Sequence, residues 1–90
     1  MAPYSRKTLL AAHKCCIFHK DEILKSSICG CFHCLSKFEP KKIHEWTDID
    51  NPKGNTALCP KCGIDAVIGS ASGYPVSEKT FLVAMHKFWF

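Results

Sequence analysis

The chain has 90 residues, of which 47% are hydrophobic, and a formal net charge of +4. This length provides one hydrophobic core and excludes a second independent one, so we predict a single domain over residues 1–90. No apolar run approaches the roughly 20 residues of a membrane span, so no membrane partner is expected. The twelve basic residues are spread along the chain, which is typical of a charged surface that keeps a small domain in solution.

Two helices are predicted in the N-terminal part. Ser5 can cap the first helix, which runs to about Cys16. A break near Phe18 separates it from a second helix over 20–25, in which the acidic residues come first and suit the helix dipole. Residues 28–32 are then predicted to form a strand.

The middle of the chain alternates turn formers with short apolar segments. Pro40 fits the first turn of a helix that we predict over 41–46, and 48–55 is a polar loop. Apolar segments at 56–58 and 66–68 predict two strands that pair as one hairpin.

The chain closes with an amphipathic helix in segment 77–90. Ser77 can cap this helix, which runs from 78 to about 89 after a loop over 69–75. Its large apolar side chains share one face: Phe81, Leu82, Met85, Phe88 and Trp89. We expect this face to cover the hairpin that carries Val67 and Ile68, because so small a domain needs its largest side chains in its own core. The alternative is that the face forms the surface that meets a partner.

Seven cysteines distinguish the composition, and four of them form two C-x-x-C pairs: Cys31, Cys34, Cys59 and Cys62. Each pair can present two sulfurs to one metal from a tight turn, and two such turns complete a tetrahedron. In the second turn Pro60 stiffens the backbone, and Gly63 permits a positive φ. We predict one structural Zn²⁺, held by these four residues within a core at 28–69.

Disulfides are the competing explanation for the cysteines. Seven is an odd number, and residues 1–15 lack the layout of a cleavable signal peptide. We therefore expect a reducing, cytoplasmic location, where paired cysteines indicate metal. The predicted fold is a small α+β domain, stabilised by zinc and similar to a zinc ribbon or a treble clef, with N-terminal helices, a double knuckle, a β-hairpin and a closing helix.

Two alternatives concern the remaining cysteines. Cys29 lies two positions before Cys31 and can in principle replace a ligand, although we expect a small buried residue there. A second metal site can be built from Cys15 or Cys16 with His19 and Cys29, helped by His13. The competing interpretation is buried thiols beside a polar histidine.

Four stretches of the chain resemble one group of proteins. They are Cys29–Cys34 (CGCFHC), 56–69 (TALCPKCGIDAVIG), 72–75 (SGYP) and the ending 85–90 (MHKFWF). Together they resemble small, uncharacterised bacterial and phage-borne "cytoplasmic proteins" with paired zinc knuckles. The resemblance covers about 19–90, leaves the helix in 1–18 outside, and implies a zinc-stabilised bacterial or phage domain without a known activity.

A four-sulfur site has no open position for water or substrate, so we predict no zinc catalysis and no small-molecule substrate. We expect a non-enzymatic interaction module that binds a protein partner. The first alternative is a nucleic-acid-binding regulator, for which aromatic and basic residues mix around the first knuckle: Phe32, Lys37, Phe38, Lys41, Lys42 and Trp46. The second is a small metal-dependent nuclease, whose candidate residues are His33, His44, Asp48, Asp50, Asn51 and Asp65.

Overall fold

The computed structural model describes residues 4–17, 19–52 and 54–90. Phe18, where the break between the first two helices was predicted, and Lys53 of the polar loop lie outside the described residues. Over the described ranges, short helices and antiparallel strands form an α+β fold.

The N-terminal helices follow the sequence prediction closely. Helix α1 spans Arg6–His13, and the Ser5 hydroxyl caps it by accepting from the Thr8 amide at 3.1 Å. A 3₁₀ turn, Lys14–Cys16, continues the helix to the predicted end. Helix α2 spans Lys20–Lys25.

A three-stranded antiparallel sheet lies at the centre, in the order β2-β1-β5. Strand β1 is Cys29–Cys31, β2 is Lys37–Phe38 and β5 is Val67–Gly69. The first knuckle therefore lies at the tip of the β1–β2 hairpin. Strand β1 is buried along its whole length, because it has a partner on each side and the C-terminal helix over one face.

The predicted pairing of the segments at 56–58 and 66–68 is wrong. Strand β4, Thr56–Ala57, pairs instead with β3, Trp46–Thr47, in a separate two-stranded sheet. The predicted helix over 41–46 is also wrong, since only a 3₁₀ turn at Pro40–Lys42 forms and the chain then becomes extended. The backbone is already extended at Ile43, and this conformation lets Trp46 pair with Ala57 of β4.

Helix α3, Lys79–Trp89, closes the core. Phe81, Leu82 and Met85 have no exposed surface, while Phe88 and Trp89 are half-buried. The helix approaches β1 so closely that a Cβ at Gly30 would lie 2.9 Å from Cδ2 of Leu82. The closing helix therefore packs on β1, the strand next to the one that it was expected to cover.

The cap predicted for α3 is not formed. Glu78 holds the N-cap position and makes no side-chain capping bond, because the helix begins one residue later than Ser77 would require. Tyr4 reaches this end of the helix, where its hydroxyl donates to Glu78 Oε2 at 3.1 Å. Among the described residues, no helix is long and apolar enough to cross a membrane.

Candidate metal centre

The first knuckle is a tight backbone turn that begins at the end of β1. The Cys31 amide donates to the Ser36 carbonyl at 2.9 Å, and the Leu35 amide donates back to the Cys31 carbonyl at 2.9 Å. These two bonds fold the chain over Cys34, so that both sulfurs of the pair lie on the same side of the turn.

The second knuckle repeats the same hydrogen bonds. The Cys59 amide donates to the Ile64 carbonyl at 3.0 Å, and the Gly63 amide donates to the Cys59 carbonyl at 2.9 Å. The Lys61 amide also points at a sulfur, 3.3 Å from Cys59 Sγ. The hydrogen bonds join residues at the same sequence separations in both knuckles, so the two turns can present a pair of thiolates in the same way.

Both turns need one residue in the left-handed region, just after the second cysteine. Gly63 has φ 78°, which confirms the prediction made for it, and Leu35 has φ 64° in the equivalent place. Leucine is unusual there, because its Cβ crowds the backbone. Sequence reasoning missed this residue, and the only available signal was its position after a C-x-x-C pair.

Strand pairing brings the two knuckles together. Cys31 ends β1 and lies opposite Val67 of β5, and the Phe32 amide donates to the Ala66 carbonyl at 3.0 Å. Because β5 directly follows the second knuckle, this pairing places the second turn beside the first. The four sulfurs of Cys31, Cys34, Cys59 and Cys62 consequently lie within 4.8 Å of one another.

The sulfur separations suit a four-coordinate metal. The Sγ atoms of Cys31 and Cys62 are 3.7 Å apart, and those of Cys34 and Cys59 are 3.6 Å apart. A regular tetrahedron with zinc–sulfur bonds of about 2.3 Å has sulfur–sulfur edges of about 3.8 Å. The four cysteines are therefore close enough to bind a metal ion, and all of them are free thiols.

The pKa shifts of the clustered thiols differ in direction, and burial raises the pKa of Cys62. Burial raises the pKa of Cys31. For Cys34 partial burial also acts to raise the pKa, but hydrogen bonds from Ser36 and from the sulfurs of Cys59 and Cys31 together outweigh it and lower the pKa to about 7. A thiolate is thus accessible near neutral pH, which is the form that a metal binds.

The other cysteines lie outside this group. Cys29 is fully buried on β1, and burial raises its pKa to about 11. Cys16 is also buried; its thiol donates to the His13 carbonyl at 2.9 Å, and burial raises its pKa to about 12. Both behave as small core residues, as expected for Cys29.

His19 is held by bonds at both ring nitrogens. The Ala57 amide donates to Nε2 at 3.2 Å, so Nδ1 carries the proton and donates to the Cys15 carbonyl at 2.6 Å. Burial lowers the pKa of this imidazole. With no free lone pair His19 cannot act as a ligand, and the alternative second metal site near Cys15 and Cys16 is not formed.

The candidate nuclease residues do not assemble. Asp48 Oδ2 accepts from the Thr56 hydroxyl at 2.7 Å, His44 is exposed beside Glu45, and the His33 ring packs edge-on against Phe90 at 4.8 Å. In the part of the chain that the structure describes, the four-cysteine cluster is the only group of three or more side chains placed to hold a metal.

The aromatic residues considered for base stacking offer little exposed surface. Phe32 and Phe38 are buried in the core, and Trp46 is half-buried with Lys20 Nζ 5.4 Å from its ring centroid. The lysines of the same region do face solvent, and Lys37 and Lys42 line a cleft beside the second knuckle. Comparisons with protein-family models, with curated proteins and with solved structures found no match to this chain.

Proposed function

We propose that the four-cysteine cluster binds one Zn²⁺ and that this chain is a zinc-stabilised, non-enzymatic interaction module. The observation that carries the proposal is the approach of four sulfurs, with pairs 3.6 Å and 3.7 Å apart, from two equivalent turns. Soft thiolates in tetrahedral geometry suit zinc in preference to magnesium or calcium. When bound, the ion supplies a crosslink between the two knuckles.

The chemistry of the donor set supports a structural role. Four protein sulfurs fill a tetrahedron and leave no position for water or substrate. Cys31 and Cys59 are buried, which separates the cluster from solvent on one side. We propose a fold similar to a zinc ribbon or a treble clef, because the first knuckle lies at the tip of a hairpin and is joined to a second turn. The same arrangement supports the proposed kinship with the bacterial and phage "cytoplasmic proteins".

The partner is either a protein, as the sequence favoured, or a nucleic acid. The protein alternative draws on exposed large apolar side chains, of which Leu24, Ile49 and Phe90 are more than half exposed. Scattered residues of this kind are common on any surface. The nucleic-acid alternative draws on the lysine-lined cleft next to the second knuckle. A cytoplasmic location agrees with both.

Metal analysis of the purified chain tests the central claim. We expect about one equivalent of zinc, and cobalt substitution should give the strong sulfur-to-metal absorption of a four-thiolate site. Replacing Cys59 with serine should abolish metal binding and unfold the domain, because structural zinc contributes about 10–16 kcal/mol. Cys29→Ser is the matched control, since it changes a buried cysteine outside the cluster.

The same measurements can refute the proposal. Purified protein without metal that is folded and takes up no added zinc would rule out a structural site. Loss of metal from Cys29→Ser with retention by Cys31→Ser would show that the ligands are wrongly assigned. A stoichiometry near two equivalents would contradict the single closed site.

A further inference from the structure

A cleft of about 520 Å³ separates the first hairpin from the second knuckle. Lys37 of β2 and Lys42 of the following 3₁₀ turn line one side, and Lys61 lines the other beside Pro60. All three lysines are exposed. Three lysines therefore line one concave space.

The charge of this cleft is not neutralised by its own acid. Glu39 is the acidic residue of the lining, and its Oε2 lies 3.5 Å from Nζ of Lys41, outside the lining. Lys37 Nζ donates to a neutral group, the Ser77 carbonyl, at 3.0 Å. A concave surface with excess positive charge attracts anions and raises their local concentration.

The metal centre positions one wall of the cleft. Lys61 lies between Cys59 and Cys62, and its amide points at Cys59 Sγ. Lys37 and Lys42 belong to the chain that leaves the first knuckle. Joining the two knuckles through the four sulfurs consequently sets the distance between the lysines of opposite walls.

We propose that this cleft binds the phosphodiester backbone of single-stranded nucleic acid; this inference rests on the metal-stabilised module proposed above. Ammonium groups bind phosphates as point charges, and three exposed lysines around one concave space suit a repeating phosphate chain. Phe38 forms part of the lining but is only 7% exposed, so bases find no stacking platform and recognition is independent of sequence. The cleft falls within the size range of small-ligand sites, and a flexible single strand can follow a surface of this size.

Fluorescence anisotropy of the zinc-loaded chain with a labelled, mixed-sequence single-stranded DNA tests the inference. Three phosphate contacts predict a slope of about −2 for log affinity against log salt, or roughly a 20-fold loss between about 50 mM and about 200 mM salt. Lys42→Gln and Lys61→Gln should each weaken binding about fivefold at about 0.1 M salt and reduce the slope by about 0.7. Lys7→Gln, an exposed lysine of α1 outside the cleft lining, is the control and should leave binding unchanged.

Several results would overturn the inference. The first is that no binding is detected at about 50 mM salt. The others are that Lys7→Gln loses as much affinity as the cleft variants, or that the matching duplex binds more tightly than the single strand, or that a polyglutamate peptide binds as tightly as the oligonucleotide. Zinc content and circular dichroism of each variant distinguish failure of the cleft proposal from failure of the proposed function. A chain that holds one zinc but does not bind the oligonucleotide refutes the cleft alone, whereas a chain that is folded without metal refutes the module.

Discussion

Truncating Phe81 to alanine should strongly destabilise the domain. This ring has no exposed surface and is held between two tyrosines, with Tyr4 edge-on at 5.3 Å and Tyr74 stacked at 5.9 Å. Phe88, on the same helix, is half-buried and has Trp89 edge-on at 5.1 Å. The two phenylalanines therefore form a matched pair that differs in burial.

The difference in burial predicts different losses in the free energy of unfolding for the two alanine variants. Replacing a fully buried phenylalanine with alanine costs about 3–5 kcal/mol, and the two ring contacts of Phe81 place it in the upper part of this range. Phe88→Ala should cost about 1–2 kcal/mol, because only part of its surface is removed from water. For a domain of this size these values correspond to a decrease in Tm of at least about 15 °C for Phe81→Ala and of about 5–10 °C for Phe88→Ala.

Thermal melts followed by circular dichroism, with size-exclusion chromatography of the same zinc-loaded samples, provide the measurement. Phe81→Leu keeps much of the volume and should remain folded if the alanine variant does not. If Phe81→Ala melts within a few degrees of wild type while its elution volume changes, the helix does not complete the core. Its apolar face would then be a surface for association.

Two further predictions concern His19 and Gly63. His19 is buried, and burial lowers its pKa below the ordinary value of 6.5. As the pH falls, the imidazole of the unfolded chain is therefore protonated before that of the folded chain. The contribution of neutral His19 to the free energy of unfolding is full above about pH 6.5 and decreases below it. His19→Gln does not titrate in this range. Urea unfolding should therefore show its stability deficit relative to wild type shrinking between about pH 7.5 and about pH 5.5, and a constant deficit would contradict the assignment. Gly63→Ala should cost about 1–2 kcal/mol without loss of zinc, because its Cβ meets no atom within 4 Å and only the positive φ opposes it. Gly63→Asn should cost less, since asparagine tolerates this conformation, and an equal loss in chemical unfolding would show that a steric contact is responsible.

Local features of this fold were predictable from the sequence. Ser5 caps α1, α2 occupies the predicted 20–25, and the four paired cysteines form one cluster. Each of these features depends on residues a few positions apart, where spacing and capping chemistry determine the geometry.

Strand partners could not be predicted in the same way. Strands β3 and β4 have two residues each, which is too short for a period-2 pattern to identify the face or the partner. Val67 and Ala57 are both small apolar residues at the edges of the second knuckle. The composition of their two segments is equally compatible with pairing to each other and with pairing to different strands. The bonds at both nitrogens of His19 depend on the same tertiary arrangement, so its structural role was not predictable either.

The pairing of β1 with β5 determines how this chain must fold. The β1–β2 hairpin is local, but Cys31 pairs with Val67 of β5, and the cysteine pairs Cys31–Cys62 and Cys34–Cys59 are 31 and 25 positions apart. The β1–β5 pairing therefore forms only after a long loop has closed. Closing such a loop costs on the order of 3 kcal/mol in chain entropy, and strands of three residues return few hydrogen bonds at that stage. If the two knuckles capture the proposed metal early, the loop closes before β1 pairs with β5. With the zinc that we propose, metal supply during synthesis would therefore control the rate of folding, and a chain made without it would expose the edges of β1 for longer.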